Sequence, residues 1–337
     1  GTAIAVPFLA LLVGRNELAG WILTIFGGVA FLFLIVEALK SEKIERERMF
    51  VVLILMFFSM LFWAFFEQAG SSVNNFTDRN VDRVFEDKVI TAEDVGKTIP
   101  IQLGQEQFGR TNGDQLVTMT VVEKAGKAPV DWVVSEDDVG MGISGAVVPA
   151  SEFQAANPIF ILIFGLLFTA LWGFLGVRGI EPSTPVKFSL GLLQLGLGFG
   201  ALWIGAQNAD ARGMVGLSWL LLGYLLHTTG ELCISPVGLS MVTKLSPVRI
   251  VSTVMGAWFL ATAFSNYLAS MIAALTGVSH GGDGGQVIPA PIETVNVYGG
   301  VFGTIGVTAI VSALICLALS PLLSRWMHEG EDATSST

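Results

Sequence analysis

Residues 214–239 read MVGLSWLLLGYLLHTTGELCISPVGL, an apolar run that carries one carboxylate, Glu231. Crossing the ~30 Å hydrocarbon core of a bilayer takes about 20 apolar residues in a helix, and this run has that length. An ionisable side chain inside such a helix costs about 2.5–3.5 kcal/mol on insertion scales, so it faces a cavity or a partner. Tyr224, His227 and Ser235 stand at i−7, i−4 and i+4 from Glu231, on one helical face. A carboxylate on a polar stripe suits the binding of an ammonium group, or reversible protonation. The alternative is a carboxylate that only pairs with a basic residue of another helix, but this sequence places no Lys or Arg at that depth.

The rest of the chain follows the same pattern. Of its 337 residues, 52% are hydrophobic and 14% charged, whereas a soluble domain has about 25% charged residues. Candidate spans are 19–39, 49–66, 158–177, 188–206, 214–234, 251–277 and 299–323. Each must satisfy its own backbone hydrogen bonds in lipid, which favours helix over open sheet. Residues 2–13 form a shorter apolar run, expected to be the remnant of a helix cut by the start of the sequence. Gly1 replaces an initiating methionine and no basic stretch precedes that run, so no signal peptide is expected.

Lys and Arg orient the spans. Lys40, Lys43, Arg46 and Arg48 crowd one link, Arg178 and Lys187 mark another, Lys244 and Arg249 a third, and Arg325 follows the last span. These segments alternate along the chain and share one face, which the positive-inside rule makes cytoplasmic, together with the C-terminus. The short opposite links are poorer, with Arg15, Arg212 and no Lys or Arg between 277 and 299.

The long link 70–152 is different, with fourteen acidic and seven basic residues, and it supplies most of the net charge of −10. Within it, 98–103, 115–122 and 130–134 are rich in Val, Ile and Thr between Gly, Asn and Asp turn signals, which predicts a small β-rich element. Ser151 and Gln154 have the form of a capping box, predicting that the next helix starts there with Pro158 in its second turn.

Glu67 is the second costly residue, after the aromatic run Phe62, Trp63, Phe65, Phe66 and before Gln68. Two readings fit it. A carboxylate that trades burial for a basic partner changes its proton affinity, as a proton-coupled gate requires. Alternatively it marks the interface, with the aromatics as a belt. His227 joins as a proton-handling candidate because imidazole titrates near neutrality, while His280 and His328 fall in polar links and are expected to be solvated. Asn157 lies beside the helix-perturbing Pro158, and Trp258 faces either lipid or a pocket. Cys233 and Cys316 lie in apolar runs without metal-ligand or disulfide spacing and read as small buried hydrophobes. No metal cluster, phosphate loop or nucleophile constellation is present in the sequence, so neither an enzyme nor a cofactor is expected.

Four of these segments together resemble the proton-dependent oligopeptide transporter family of the major facilitator superfamily. FWAFFEQ at 62–68 is similar to its seventh-helix motif, Asn157-Pro158 to the start of its eighth helix, and EPSTPVKF at 181–188 to the loop that follows. The strongest likeness is GELCISPVGLSMVTKLSP at 230–247, which resembles the tenth helix and its exit. The likeness runs in order from about 19 to 325, apart from 77–148.

That resemblance implies an all-α integral membrane fold, the C-terminal six-helix bundle of a major facilitator preceded by an extra helical hairpin. Its expected parts are the hairpin at 1–48, the first bundle helix at 49–76 and a β-rich extracytoplasmic insertion at 77–150. The other five helices follow at 151–328, and 329–337 form a cytoplasmic tail. It implies proton-coupled symport of di- and tripeptides by alternating access in a bacterial inner membrane. Glu231 would hold the peptide amino terminus and Asn157 would hydrogen-bond the peptide, with Trp258, Trp63, Phe66, Gln68, Tyr224 and Ser235 around the substrate. Glu67 would gate the outer side against a basic residue of the first helix, with His227 beside the proton path. Protons, peptides, lipid and an N-terminal six-helix bundle absent from this sequence are the expected partners. No nucleic acid is expected, and without that bundle the chain is not expected to transport. The rival readings are a relative carrying another amino-bearing or anionic substrate, or a non-transporting membrane scaffold.

Overall fold

Among the described residues of the computed structural model, seven helices are long and apolar enough to span a membrane. The structure describes residues 16–85, 88–143, 146–276 and 289–329, so the helix expected at 2–13, His280 and the tail beyond 329 lie outside it. In chain order come α1 (Asn16–Lys40), α2 (Lys43–Phe66) and, after a 3-10 turn over Glu67–Gly70, the short α3 (Ser72–Asn80). The insertion holds a further short helix, α4 (Met119–Ala125). Then follow α5 (Ala156–Val177), α6 (Thr184–Gln207), α7 (Leu217–Leu245), α8 (Val251–Ala274) and α9 (Pro291–Trp326). Several outrun the apolar runs that announced them. α2 starts on the charged Lys43, α7 continues through Pro236, and α9 starts on Pro291, where a missing N–H costs a helix nothing.

α6 is the centre of the membrane core, packed along α7 and along α9. Its contact with α7 is backbone on backbone. A methyl group added to Gly191 would lie 2.8 Å from the Gly230 carbonyl oxygen, and one added to Gly230 would lie 2.7 Å from that of Gly191. Helices in lipid gain most from such close approach, and here glycine at both positions permits it. α5 is the opposite case: none of its residues is buried, and it rests mainly on α7.

The basic links meet at one end of the bundle. Arg48 donates to the carbonyls of Met327 and His328, both at 3.1 Å, and Arg249 bonds Glu37 and Ser41, both at 2.9 Å. Lys187 pairs with Glu181 in the same region. His328, expected in solvent, is half-buried there, with Nε2 2.6 Å from Glu47. At the other end, α3 carries the chain past Thr77 and inserts Asn80 among the helices. The Asn80 amide donates to Gly213 at 3.0 Å and Pro291 at 2.8 Å and accepts from Thr294 at 2.9 Å.

The insertion has its own small core of Ile90, Ile101, Leu103, Val117, Trp132, Val134 and Met141. Three two-stranded antiparallel ladders frame it: β1 (Val84–Phe85) with β6 (Ala146–Val147), β2 (Thr98–Gln102) with β5 (Pro129–Val133), and β3 (Thr111–Asn112) with β4 (Gln115–Leu116). The strand expected over 115–122 is corrected: only its first two residues pair, and α4 takes over until Gly126, at φ 58°, ends it. Its Val residues follow their packing on the small core, not their β-propensity. Two near-copies of one turn, TAEDVG at 91–96 and SEDDVG at 135–140, close the module. Each pairs an N-cap hydroxyl with the third residue's carboxylate and ends on a glycine of positive φ, Gly96 at 82° and Gly140 at 89°. Hydrogen bonds from Thr91 hold the Asp94 carboxyl down to about 2.

The capping box expected at Ser151 does not form. Ala150–Ala155 is a 3-10 turn without a side-chain cap, and Gln154 reaches Asn74 Oδ1 at 3.1 Å instead. The turn runs into α5, so Pro158 falls in the first turn of that helix. Both cysteines are buried and free.

Candidate functional site

The site begins with two side chains on different helices. Asn157, near the start of α5, donates from Nδ2 to Glu231 Oε2 on α7 at 2.9 Å and to Thr228 Oγ1 at 3.1 Å. Glu231 is half-buried, and among the described residues no Lys or Arg forms an ion pair with it. Its neighbour Gly230 is locked against Gly191, so the stretch of α7 that carries the carboxylate is fixed against α6.

Glu67 caps the C-terminus of α2 and is half-buried. Its approach is set by rings. Phe66 packs on Trp63 at 5.3 Å and on Phe62 at 5.5 Å between centroids, and reaches His227 of α7 at 6.5 Å. Phe62 and Phe65 are buried in the bundle, and Trp63 and Phe66 are half-buried.

His227 is enclosed. Its ring lies 4.5 Å from that of Phe199, and a methyl added to Gly198 would come within 2.4 Å of it. Nε2 is buried without a hydrogen-bond partner. Tyr224 is buried a turn earlier, and its backbone carbonyl accepts the Thr228 hydroxyl at 2.7 Å. Ser235 is half-buried one turn after Glu231.

Two expected neighbours are held elsewhere. Gln68 is fully buried, donating to Ala64 at 3.3 Å and to Ala269 of α8 at 2.9 Å, and accepting from Ser72 at 2.6 Å. Its amide therefore ties the end of α2 to α8 and has no free group for a ligand. Trp258 is buried on α8 with its ring against Gly238, seven residues along α7 from Glu231, or about 10 Å of helical rise. Thr228, fully buried and bonded to Asn157, joins this cluster, and no sequence signal separates it from Thr229. Among the described residues no group of three His, Cys, Asp or Glu side chains could hold a metal ion.

The described residues thus form a multi-pass helical bundle in which a carboxylate and an amide are joined across two helices. Residues 132–286 match the POT family (PTR2). The dipeptide and tripeptide permease B of Edwardsiella piscicida is 28% identical over 333 residues, covering 98% of this chain and 55% of that protein. Permease A of Erwinia pyrifoliae is 29% identical over 332 residues, covering 98% and 53%. The crystal structure of a variant of a peptide transporter POT with alafosfalin superposes with a TM-score of 0.63 at 26% identity, over 97% of this chain and 52% of that one. Over residues 132–286 the chain is similar to the POT family, and over 97% of its length to a POT transporter of known structure. It spans about half the length of the curated relatives it matches.

Proposed function

We propose that this chain is the C-terminal half of a proton-coupled symporter of di- and tripeptides, in which Glu231 receives the ammonium group of the substrate. The observation that supports this most is the hydrogen bond between Asn157 and Glu231, which joins a hydrogen-bonding amide to a carboxylate with no cationic partner among the described residues. Such a pair lacks the positive charge that an ammonium supplies, and it repels an anion. Glu67, half-buried at the end of α2, is the gate that couples protonation to access. The N-terminal half supplies its basic partner. The face holding Arg48, Lys187, Arg249 and Arg325 is cytoplasmic and the insertion is extracytoplasmic, in a bacterial inner membrane.

The test is uptake of labelled dialanine into proteoliposomes by the full-length protein, with and without an inward pH gradient. Gradient-dependent accumulation is expected. Uptake that ignores the gradient removes the proton coupling, and no uptake of dialanine or any other dipeptide removes the peptide.

A further inference from the structure

Hydrogen-bond accounting at Asn157 shows which way its amide faces and what holds it there. The Thr228 hydroxyl has one hydrogen, and at 2.7 Å the Tyr224 carbonyl takes it. The Thr228 oxygen is thereafter an acceptor only, so at 3.1 Å Asn157 must present its NH2 group and not its carbonyl. The same nitrogen gives its second hydrogen to Glu231 Oε2 at 2.9 Å. Both hydrogens of the amide are now engaged, and Oδ1 is left for a ligand. Without Thr228 nothing on α7 distinguishes the two ends of the amide except the carboxylate itself.

We infer that Thr228 is a positioning residue that fixes the Asn157 amide so the site offers a ligand acceptors only: Asn157 Oδ1 and the second oxygen of Glu231. The inference rests on the proposed binding of an amine at Glu231 and adds the source of its selectivity. A primary ammonium carries three donors and no acceptor, and it satisfies both oxygens. An N-acylated amine has one donor and brings a carbonyl oxygen, which meets oxygen in the same place. Thr228 is fully buried and reaches the substrate only through Asn157.

The experiment compares the affinities of dialanine and N-acetyl-dialanine for the purified full-length protein, measured by calorimetry. Wild type is compared with Thr228→Val, Thr228→Ala, Thr228→Ser and Glu231→Gln, each checked for melting temperature and monodispersity. Val keeps the shape of Thr and removes the hydroxyl, Ala removes both, and Ser keeps the hydroxyl. The advantage of the free amine over the acetylated one is expected to fall about fivefold in Thr228→Val, the size of one net hydrogen bond, and to stay within about twofold of wild type in Thr228→Ser. If Thr228→Val does not fold, Thr228→Ala decides, with the same fall expected. A preference kept without the hydroxyl but lost in Glu231→Gln overturns the role of Thr228 and leaves the amine reading standing. A fall in Thr228→Ser as large as in Thr228→Val also overturns it, since bulk and not the hydroxyl would then matter. A preference kept in every variant overturns the amine reading, and the positioning role with it.

Discussion

The two helices that meet at the site are held in contrasting ways. α7 is fastened to α6 by backbone contact at Gly191 and Gly230, and His227 fills the space that Gly198 leaves open. α5 has no buried residue, and it holds its place at the site through the polar contacts of Asn157. Both are long apolar helices in one bundle, and yet among the described residues one is a packed mount and the other an arm on the surface of this half. The carboxylate is on the mount and the amide on the arm. A ligand or proton that competes for Glu231 is therefore expected to break the Asn157 bond to α5.

The contrast breaks first at its strongest point. Gly230→Leu drives a side chain into the Gly191 backbone and into Gln194, where a methyl alone would come within 3.4 Å, so no rotamer change relieves it. Overpacking of this kind costs about 1–3 kcal/mol or more. The full-length protein is expected to lose its monodisperse peak in detergent, and a wild-type melting temperature would show that α6 and α7 are not fastened here. Glu231→Gln comes next. Folding and expression stay intact and gradient-driven uptake of dialanine disappears; uptake close to wild type would take Glu231 out of the site.

Glu67→Gln has a narrower effect, because Glu67 lies at the end of α2 and makes no hydrogen bond to Glu231. Gradient-driven accumulation should fall severalfold while peptide counterflow, which needs no net proton movement, is better retained. Accumulation with an unchanged pH dependence would place the gate elsewhere. The smallest change belongs to the arm. Gly173 on α5 has no neighbour within 4 Å of an added methyl, so Gly173→Ala should leave uptake unaltered and melting unchanged or slightly raised. A loss as large as that of Gly230→Leu would mean that α5 is packed as tightly as α7.

The sequence made part of this division visible. Glu231 stood out because a carboxylate in an apolar run is costly wherever it points, and the spans stood out by length. Thr228 did not, because Thr228 and Thr229 differ only by about 100° of rotation about the helix axis. Both hydroxyls bond carbonyls of their own helix, and only the position of α5 decides which of them also accepts a bond from Asn157. In the 3-10 turn about 120° separates Glu67 from Gln68, and the Gln68 amide is spent on α8. The Gly191–Gly230 contact was hidden for a related reason, since many other glycines face open space. α4 was misread because its Val and Thr residues are neutral evidence until the small core beneath them is known.

The neck of the insertion has a consequence for how the module joins the bundle. β1 and β6 are antiparallel partners, with Val84 opposite Val147 and Phe85 opposite Ala146, so the module leaves the membrane bundle and returns to it at adjacent points. Arg83 secures that junction from within, bonding Asp78 at 2.9 Å and the Val148 carbonyl at 2.5 Å. With its own core and its two ends side by side, the segment works as a cassette: it fits between two helix ends that already lie close, and closing so long a loop adds little entropy cost. Beyond that neck the module touches the bundle at Arg212, which donates to the Glu106 carbonyl at 2.9 Å.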